Sequence, residues 1–164
     1  MIEIVEVGPR DGLQNERTPI PLPVKLRLIH HLVEAGLNEI EATSFVSPKW
    51  VPQLADAAEL WPELPTGPSF SALVPNARGL ETALSLGVNR IALFTAASDE
   101  FTQKNINQSV EESLESFAQL ANCFREAQPN GWIRGYVSTA FECPYAGRID
   151  PHRVVGVGID PASV

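Results

Sequence analysis

Short runs rich in β-branched and aromatic residues alternate with longer segments whose apolar residues recur at helical spacing, and this alternation occupies most of the 164-residue chain. A β-α order of this kind constrains the fold to an α/β class, with a parallel sheet covered by helices. Strands are expected at 2–7, 37–42, 70–74, 89–95 and 132–139. Ile91-Ala92-Leu93-Phe94 is a continuous apolar run, as for a strand buried on both faces. Right-handed crossovers then bring every loop that follows a strand to one end of the sheet. That end is where α/β folds carry their chemistry.

The helices announce themselves by their ends. Pro23 suits a first turn, where the backbone N–H is spare. From there Val24, Leu28, Leu32 and Leu26, Ile29, Val33 make one broad apolar face. Gly36 fits the stop, where φ is positive. A second helix is expected over 53–61. A third is capped by Asn76 and ends at Gly87. Ser109-Val110-Glu111-Glu112 is a capping-box pattern opening a helix through Leu114, Phe117, Ala118, Ala121 and Phe124. Five strands and four helices fall short of a (β/α)8 barrel, which takes about 250 residues.

Composition narrows the class further. A net charge of -8 speaks against a nonspecific nucleic-acid surface, which needs clustered Lys and Arg. No apolar run approaches the roughly 20 residues that span a bilayer. The opening Met1-Ile2-Glu3-Ile4-Val5-Glu6 lacks the basic and apolar regions of a signal peptide. Two cysteines, Cys123 and Cys143, give no disulfide framework and no zinc spacing. The expectation is a cytoplasmic protein with reduced thiols.

Gly8-Pro9-Arg10-Asp11-Gly12-Leu13-Gln14-Asn15-Glu16 is the densest polar constellation. An arginine beside a carboxylate at a strand terminus could stabilise a developing oxyanion and bind a hard cation. On composition alone a solvated turn is the simpler reading, since Pro, Asp, Asn and Gly all favour turns. Glu41 ends an otherwise apolar strand. It could orient an arginine through a bidentate pair, or stand exposed at the strand end. The whole Glu41-Ala42-Thr43-Ser44 run, Ser98-Asp99-Glu100 and Cys143-Pro144-Tyr145 are the other polar groups expected at the same sheet end.

The remaining candidates carry less. His30 and His31 point about 100° apart on a helix and do not converge on a metal; His152 stands alone. Cys123 is expected to line the core. Cys143 has no neighbouring Lys or Arg before Arg148 to lower its thiol pKa. Gly156-Val157-Gly158 lacks the third glycine and the preceding strand of a dinucleotide fingerprint.

Glu6-Val7-Gly8-Pro9-Arg10-Asp11-Gly12-Leu13-Gln14-Asn15-Glu16 resembles the hydroxymethylglutaryl-CoA lyases, TIM-barrel enzymes of the metal-dependent lyase and Claisen-condensing superfamily. The resemblance continues through Ile40-Glu41-Ala42-Thr43-Ser44-Phe45-Val46-Ser47-Pro48-Lys49-Trp50-Val51-Pro52-Gln53. It continues again at Pro75-Asn76, Ala96-Ala97-Ser98, Lys104-Asn105-Ile106-Asn107 and Arg134-Gly135-Tyr136-Val137-Ser138. It implies a partial (β/α)8 barrel and cleavage of 3-hydroxy-3-methylglutaryl-CoA to acetyl-CoA and acetoacetate, a step of leucine degradation. By matching position, Arg10 would steady the enolate or hydroxyl oxygen and Glu41 would hold Arg10. Gln14 would lie against substrate, and Asp11 would be a ligand to Mg2+ or Mn2+.

The departures bound what this chain does by itself. The family takes further metal ligands from a His-x-His pair and a late Asn, and its general acid from a Cys in a C-terminal loop; none of these is present. The Cys143-Pro144-Tyr145 segment matches a different, fifth-strand region. The lyase-like part is expected to run over 1–153. A divergent tail follows at 154–164, where Gly156, Gly158 and Pro161 would break a helix. The expectation is a truncated lyase, inactive alone, with an acyl-CoA substrate, no nucleic-acid or membrane partner, and a family-like homo-oligomer. The rivals are a non-catalytic fragment and a related acyl-CoA lyase or synthase with a different acyl acceptor.

Overall fold

In the structure, a computed structural model that describes residues 3–158, β1 (Glu39–Ser44) is buried from Ile40 to its end. It pairs in parallel with β2 (Ser69–Leu73). The register starts as Glu39↔Ser69, Ile40↔Phe70 and Glu41↔Ser71, then becomes Thr43↔Ala72 and Ser44↔Leu73. Ala42 is therefore an extra residue on β1, a β-bulge beside Glu41. Ile40, Ala42 and Phe70 pack with Ile29 of α1 (Leu22–Glu34) and Leu60 of α2 (Ala57–Leu60). Alternation then turns Glu41 and Ser71 to the opposite face.

The chain divides into two units, Met1–Ile91 with Asn130–Trp132, and Ala92–Pro129 with Ile133–Val164. In the first unit, α1 starts one residue before Pro23 and stops where expected. Gly36 has φ +90°, and its N–H and that of Leu37 close onto Val33 and Leu32 carbonyls. The expected helix over 53–61 is broken into a 3-10 turn at Pro52–Leu54, the four residues of α2 and a second 3-10 turn at Trp61–Glu63. Pro62 lacks the N–H that would carry an α-helix past Trp61. α3 (Ala77–Ser85) is capped as expected, with Asn76 Oδ1 accepting from Gly79 N at 2.9 Å. A Cβ on Gly79 would lie 2.5 Å from the Phe45 carbonyl oxygen, so only glycine lets the α3 first turn reach the end of β1.

The expected first strand is reduced to one parallel bridge, Glu6 to Ile40. Glu6 N donates to Glu39 O and Glu6 O accepts from Glu41 N. Val7 already leaves the extended region at ψ 1° and leads into a π-helical turn at Gly8–Gly12, which ends the pairing. Ile2 of that expected strand lies outside the described residues.

β3 (Arg90–Ala96) and β4 (Trp132–Ser138) fall where expected. Trp132 N donates to Asn89 O at their starts and Ala97 N to Ser138 O at their ends, so the two run parallel. In the second unit, α5 (Val110–Ala127) carries both hydrogen bonds of the Ser109–Glu112 capping box. One helix and one hairpin were not anticipated. α4 (Asp99–Ile106) is started by Ser98, whose hydroxyl accepts from Phe101 N, so the polar Ser98-Asp99-Glu100 run is a helix start rather than a loop. β5 (Glu142–Cys143) and β6 (Gly147–Arg148) form an antiparallel hairpin around Pro144-Tyr145-Ala146.

Two further expectations are corrected. Residues past 153 do not break the helix: α6 (Pro151–Gly158) runs through Gly156. Asp150 Oδ1 accepts from His152 N, and Val154 packs on Ala97, Cys143 and Ile149, which offsets the roughly 1 kcal/mol a helical glycine costs. Pro161 of that expectation lies outside the described residues. Cys123 is exposed, because α5 buries Val110, Ser113, Phe117, Leu120, Ala121 and Phe124 on the other side. Among the described residues no helix is long and apolar enough to cross a membrane.

Candidate active site

The turn after Val7 determines what the first polar constellation can reach. Asp11 N donates to Val7 O at 2.7 Å, Leu13 N closes the π-helical turn on Gly8 O, and a 3-10 turn at Leu13–Asn15 follows directly. This compact double turn is anchored to β1 by the Glu6 bridge, which brings Arg10 to Glu41. Arg10 Nε donates to Glu41 Oε1 at 2.5 Å, and Arg10 Nη1 to Asp11 Oδ1 at 2.7 Å. Gln14 Nε2 donates to the same Asp11 oxygen at 2.8 Å, and Asn15 Nδ2 to the Asp11 carbonyl at 2.7 Å. The four residues singled out in the sequence, Arg10, Asp11, Gln14 and Glu41, thus form one hydrogen-bonded chain in the first unit.

Burial grades along that chain. The Glu41 side chain is 0% accessible, Arg10 12% and Asp11 54%. Glu41 is not the exposed strand-end carboxylate that composition also allowed. A buried carboxylate fixes the guanidinium from behind, and a solvent-facing carboxylate and amide stand in front. The result is a cation held in one orientation beside groups open to a ligand, the arrangement that steadies a developing negative oxygen.

Residues outside the motif core hold the next stretch in place. Gln53 is buried, and its carboxamide spans residues 16–20. Nε2 donates to Glu16 O at 2.9 Å and Thr18 O at 2.7 Å, while Oε1 accepts from Ile20 N at 2.9 Å. Lys25, only 3% accessible, bonds Asp56 at 2.7 Å and the Gln53 carbonyl. Sequence reasoning did not single out Gln53 or Lys25. The one signal was that Gln53 closes the Trp50-Val51-Pro52-Gln53 stretch of the second long motif.

In the second unit, Cys143 Sγ is buried and accepts from Ser98 Oγ at 3.1 Å and Tyr145 N at 3.4 Å. Burial raises its thiol pKa, but the bonds from Ser98 and from the Tyr145 and Ala146 N–H groups prevail and bring it below the ordinary value. No basic neighbour is needed for that, which the sequence argument had assumed. Asp99 accepts from Val110 N at 2.8 Å and pairs with Arg153, tying the starts of α4, α5 and α6 together.

The histidines stay peripheral. His31 meets only Glu34, with both side chains about three-quarters exposed. Among the described residues no group of three His, Cys, Asp or Glu could hold a metal ion. Asp11 has one carboxylate, and its Oδ1 is already taken by two donors. An ion that demands near-octahedral oxygen ligation does not fit these residues alone.

Comparison with known proteins places the chain in a family. The HMGL-like family model matches residues 1–160. The mitochondrial hydroxymethylglutaryl-CoA lyase of Gallus gallus is 52% identical over 159 residues, covering 95% of this chain and 52% of the relative. The crystal structure of hydroxymethylglutaryl-CoA lyase from Pseudomonas aeruginosa overlays with a TM-score of 0.90 at 48% identity, covering 96% of this chain and 52% of that one. An HMG-CoA lyase from Acinetobacter baumannii, solved with coenzyme A and 3-methylmalate, overlays with a TM-score of 0.88 at 32% identity, over 96% of this chain and 51% of that one. The chain spans about half the length of the relatives it matches, and its α/β fold is the corresponding part of their TIM barrel. With a family model covering nearly its whole length and the motif arginine seated on the motif glutamate, this chain belongs to the HMGL-like family.

Proposed function

We propose that this chain carries the arginine–carboxylate part of a lyase site that cleaves 3-hydroxy-3-methylglutaryl-CoA to acetyl-CoA and acetoacetate. The observation that carries the reading is the chain Glu41–Arg10–Asp11–Gln14, with its cation fixed from a buried side. In the reaction a base removes the proton of the 3-hydroxyl. The C–C bond then breaks, the ketone of acetoacetate forms, and the electron pair passes to the acetyl-CoA enolate, which is finally protonated. Arg10 places a fixed positive charge beside an oxygen that turns negative. Glu41 prevents the guanidinium from turning away. Gln14 positions Asp11 and presents its amide to the ligand.

The family resemblance also implies Mg2+ or Mn2+, and Asp11 would supply one of its ligands. The described residues do not complete that site, so the chain by itself is expected to lack lyase turnover. An acyl-CoA as substrate is supported by the coenzyme A complex of the Acinetobacter baumannii relative. A reducing, cytoplasmic setting suits two free cysteines, and a homo-oligomer would cover strand edges that a partial barrel leaves open. We also keep the division into a lyase portion at 1–153 and a tail at 154–164 as part of this reading.

The test is a chimera joining residues 1–153 to the remaining half of the Pseudomonas aeruginosa lyase, assayed for acetoacetate release. Turnover is expected, and Arg10→Gln should reduce it by about 10²–10³-fold, the loss typical of one oxyanion donor. A folded chimera whose turnover is indifferent to Arg10→Gln would overturn the proposal.

A further inference from the structure

The bulge at Ala42 changes which hydroxyl of β1 shares a face with Glu41. In an unbroken strand Glu41 and Thr43 would share a face and Ser44 would join Ile40 and Ala42 against the helices. The observed register shifts by one after Glu41: Thr43 lies opposite Ala72 and Ser44 opposite Leu73. Paired residues of neighbouring strands share a face, and along β2 Ser71 and Leu73 lie on one face while Phe70 and Ala72 lie on the other. Ser44 therefore shares the face of Glu41, and Thr43 shares the helix-covered face of Ala42. Bulges beside active sites commonly re-aim a side chain in this way.

Ser44 is only 2% accessible, and its Oγ has no protein hydrogen-bond partner among the described residues. A buried hydroxyl without a partner is costly, and such groups are few in folded proteins. On this face Glu41 Oε1 is engaged by Arg10. A hydroxyl in this setting is a neutral donor awaiting an acceptor that arrives with the ligand.

We propose that Ser44 Oγ is a further ligand-binding group of the Arg10 site and donates a hydrogen bond to a carboxylate oxygen of a 3-hydroxy dicarboxylate or its thioester. The inference rests on the lyase reading, because it takes its ligand class from there. It adds a neutral contact at the end of β1 to the charged contact made by Arg10. Thr43 provides the internal control: it is adjacent, 1% accessible and equally without a partner, but on the other face.

The test is a titration of the isotopically labelled 164-residue chain with 3-hydroxyglutarate, followed by backbone amide shifts. Ser44→Ala should weaken binding by about tenfold or more, the factor expected for a hydrogen bond to a charged group. Its melting temperature should stay level or rise, since an unsatisfied polar atom is removed. Thr43→Ala should bind like the parent. If Ser44→Ala binds like the parent while Arg10→Gln does not, the inference fails and the lyase reading stands. Equal weakening by Ser44→Ala and Thr43→Ala would mark a packing effect and also overturn it. Absence of binding by the parent, or binding indifferent to Arg10→Gln, would overturn the inference, while the lyase reading is decided separately by turnover of the chimera.

Discussion

Arg10 Nε and Glu41 Oε1 lie 2.5 Å apart across 31 positions of sequence, and the carboxylate end of that pair is wholly removed from solvent. A buried charge of this kind is tolerable only while its partner stays, because the interior offers no water to replace it. The pair therefore holds the turn at Gly8–Gly12 against β1 as well as aiming the guanidinium.

Glu41→Ala should accordingly destabilise the chain by about 3–5 kcal/mol, the usual result of breaking a buried ion pair by removing one partner. Urea unfolding followed by far-UV circular dichroism would measure it. The double change Arg10→Met with Glu41→Leu should recover most of the loss, since it leaves no lone buried charge. A Glu41→Ala midpoint equal to the parent's would show that the pair is stabilised by nothing beyond its surroundings.

Gln53 makes a second, separable contribution. Gln53→Leu removes one acceptor and two donor bonds that span residues 16–20 and leaves the two carbonyls and the Ile20 N–H without that partner. We expect about 1–3 kcal/mol of destabilisation. We also expect selective release of the segment around the exposed Arg17, read as faster trypsin cleavage there than at other basic residues. Uniformly faster cleavage at every site would mean global loosening and no specific clamp.

Glu100 gives a pH test. Its carboxyl is held below 4.5 by its own backbone N–H and by the Ser98 hydroxyl, whose one proton it shares with Cys143 Sγ. A carboxyl with a lowered folded pKa adds stability in its ionised form. That contribution is complete above about pH 4.5 and disappears as the pH falls through the folded pKa. The stability difference between the parent and Glu100→Gln should thus be constant near neutrality and shrink on acidification below pH 4.5. A difference that grows as the pH falls would contradict the assignment.

Most of the sheet was legible because β1 to β4 and their helices obey simple patterns, and the Asn76 and Ser109 caps occur as written. The first strand was not, since Val7 turns before a ladder can form, and nothing in Ile4-Val5-Glu6-Val7 signals that local dihedral. α4 was missed because Ser98-Asp99-Glu100 reads equally as a polar loop and as a helix start. Cys123 was placed on the core side of an amphipathic helix, whereas it lies off the Phe117, Ala121 and Phe124 stripe that α5 buries. In the site, residue types and strand ends brought out Arg10, Asp11 and Glu41, and the lyase resemblance added Gln14. Ser44 was legible as part of the polar Glu41-Ala42-Thr43-Ser44 strand end, but its face was not, because that depends on a register shift. Gln53 stayed hidden, because its significance depends on a long-range amide clamp that leaves no periodic trace.

The Ala42 bulge also sets how this strand can vary over time. It acts as a one-position frame change, so everything upstream of it, Glu41 included, keeps its place while everything downstream is inverted. Loss of a single codon at Ala42 would straighten the ladder and still leave Thr43 opposite Ala72 and Ser44 opposite Leu73. The bulge is therefore a place where β1 can lose a residue while Glu41 and Ser44 keep a common face.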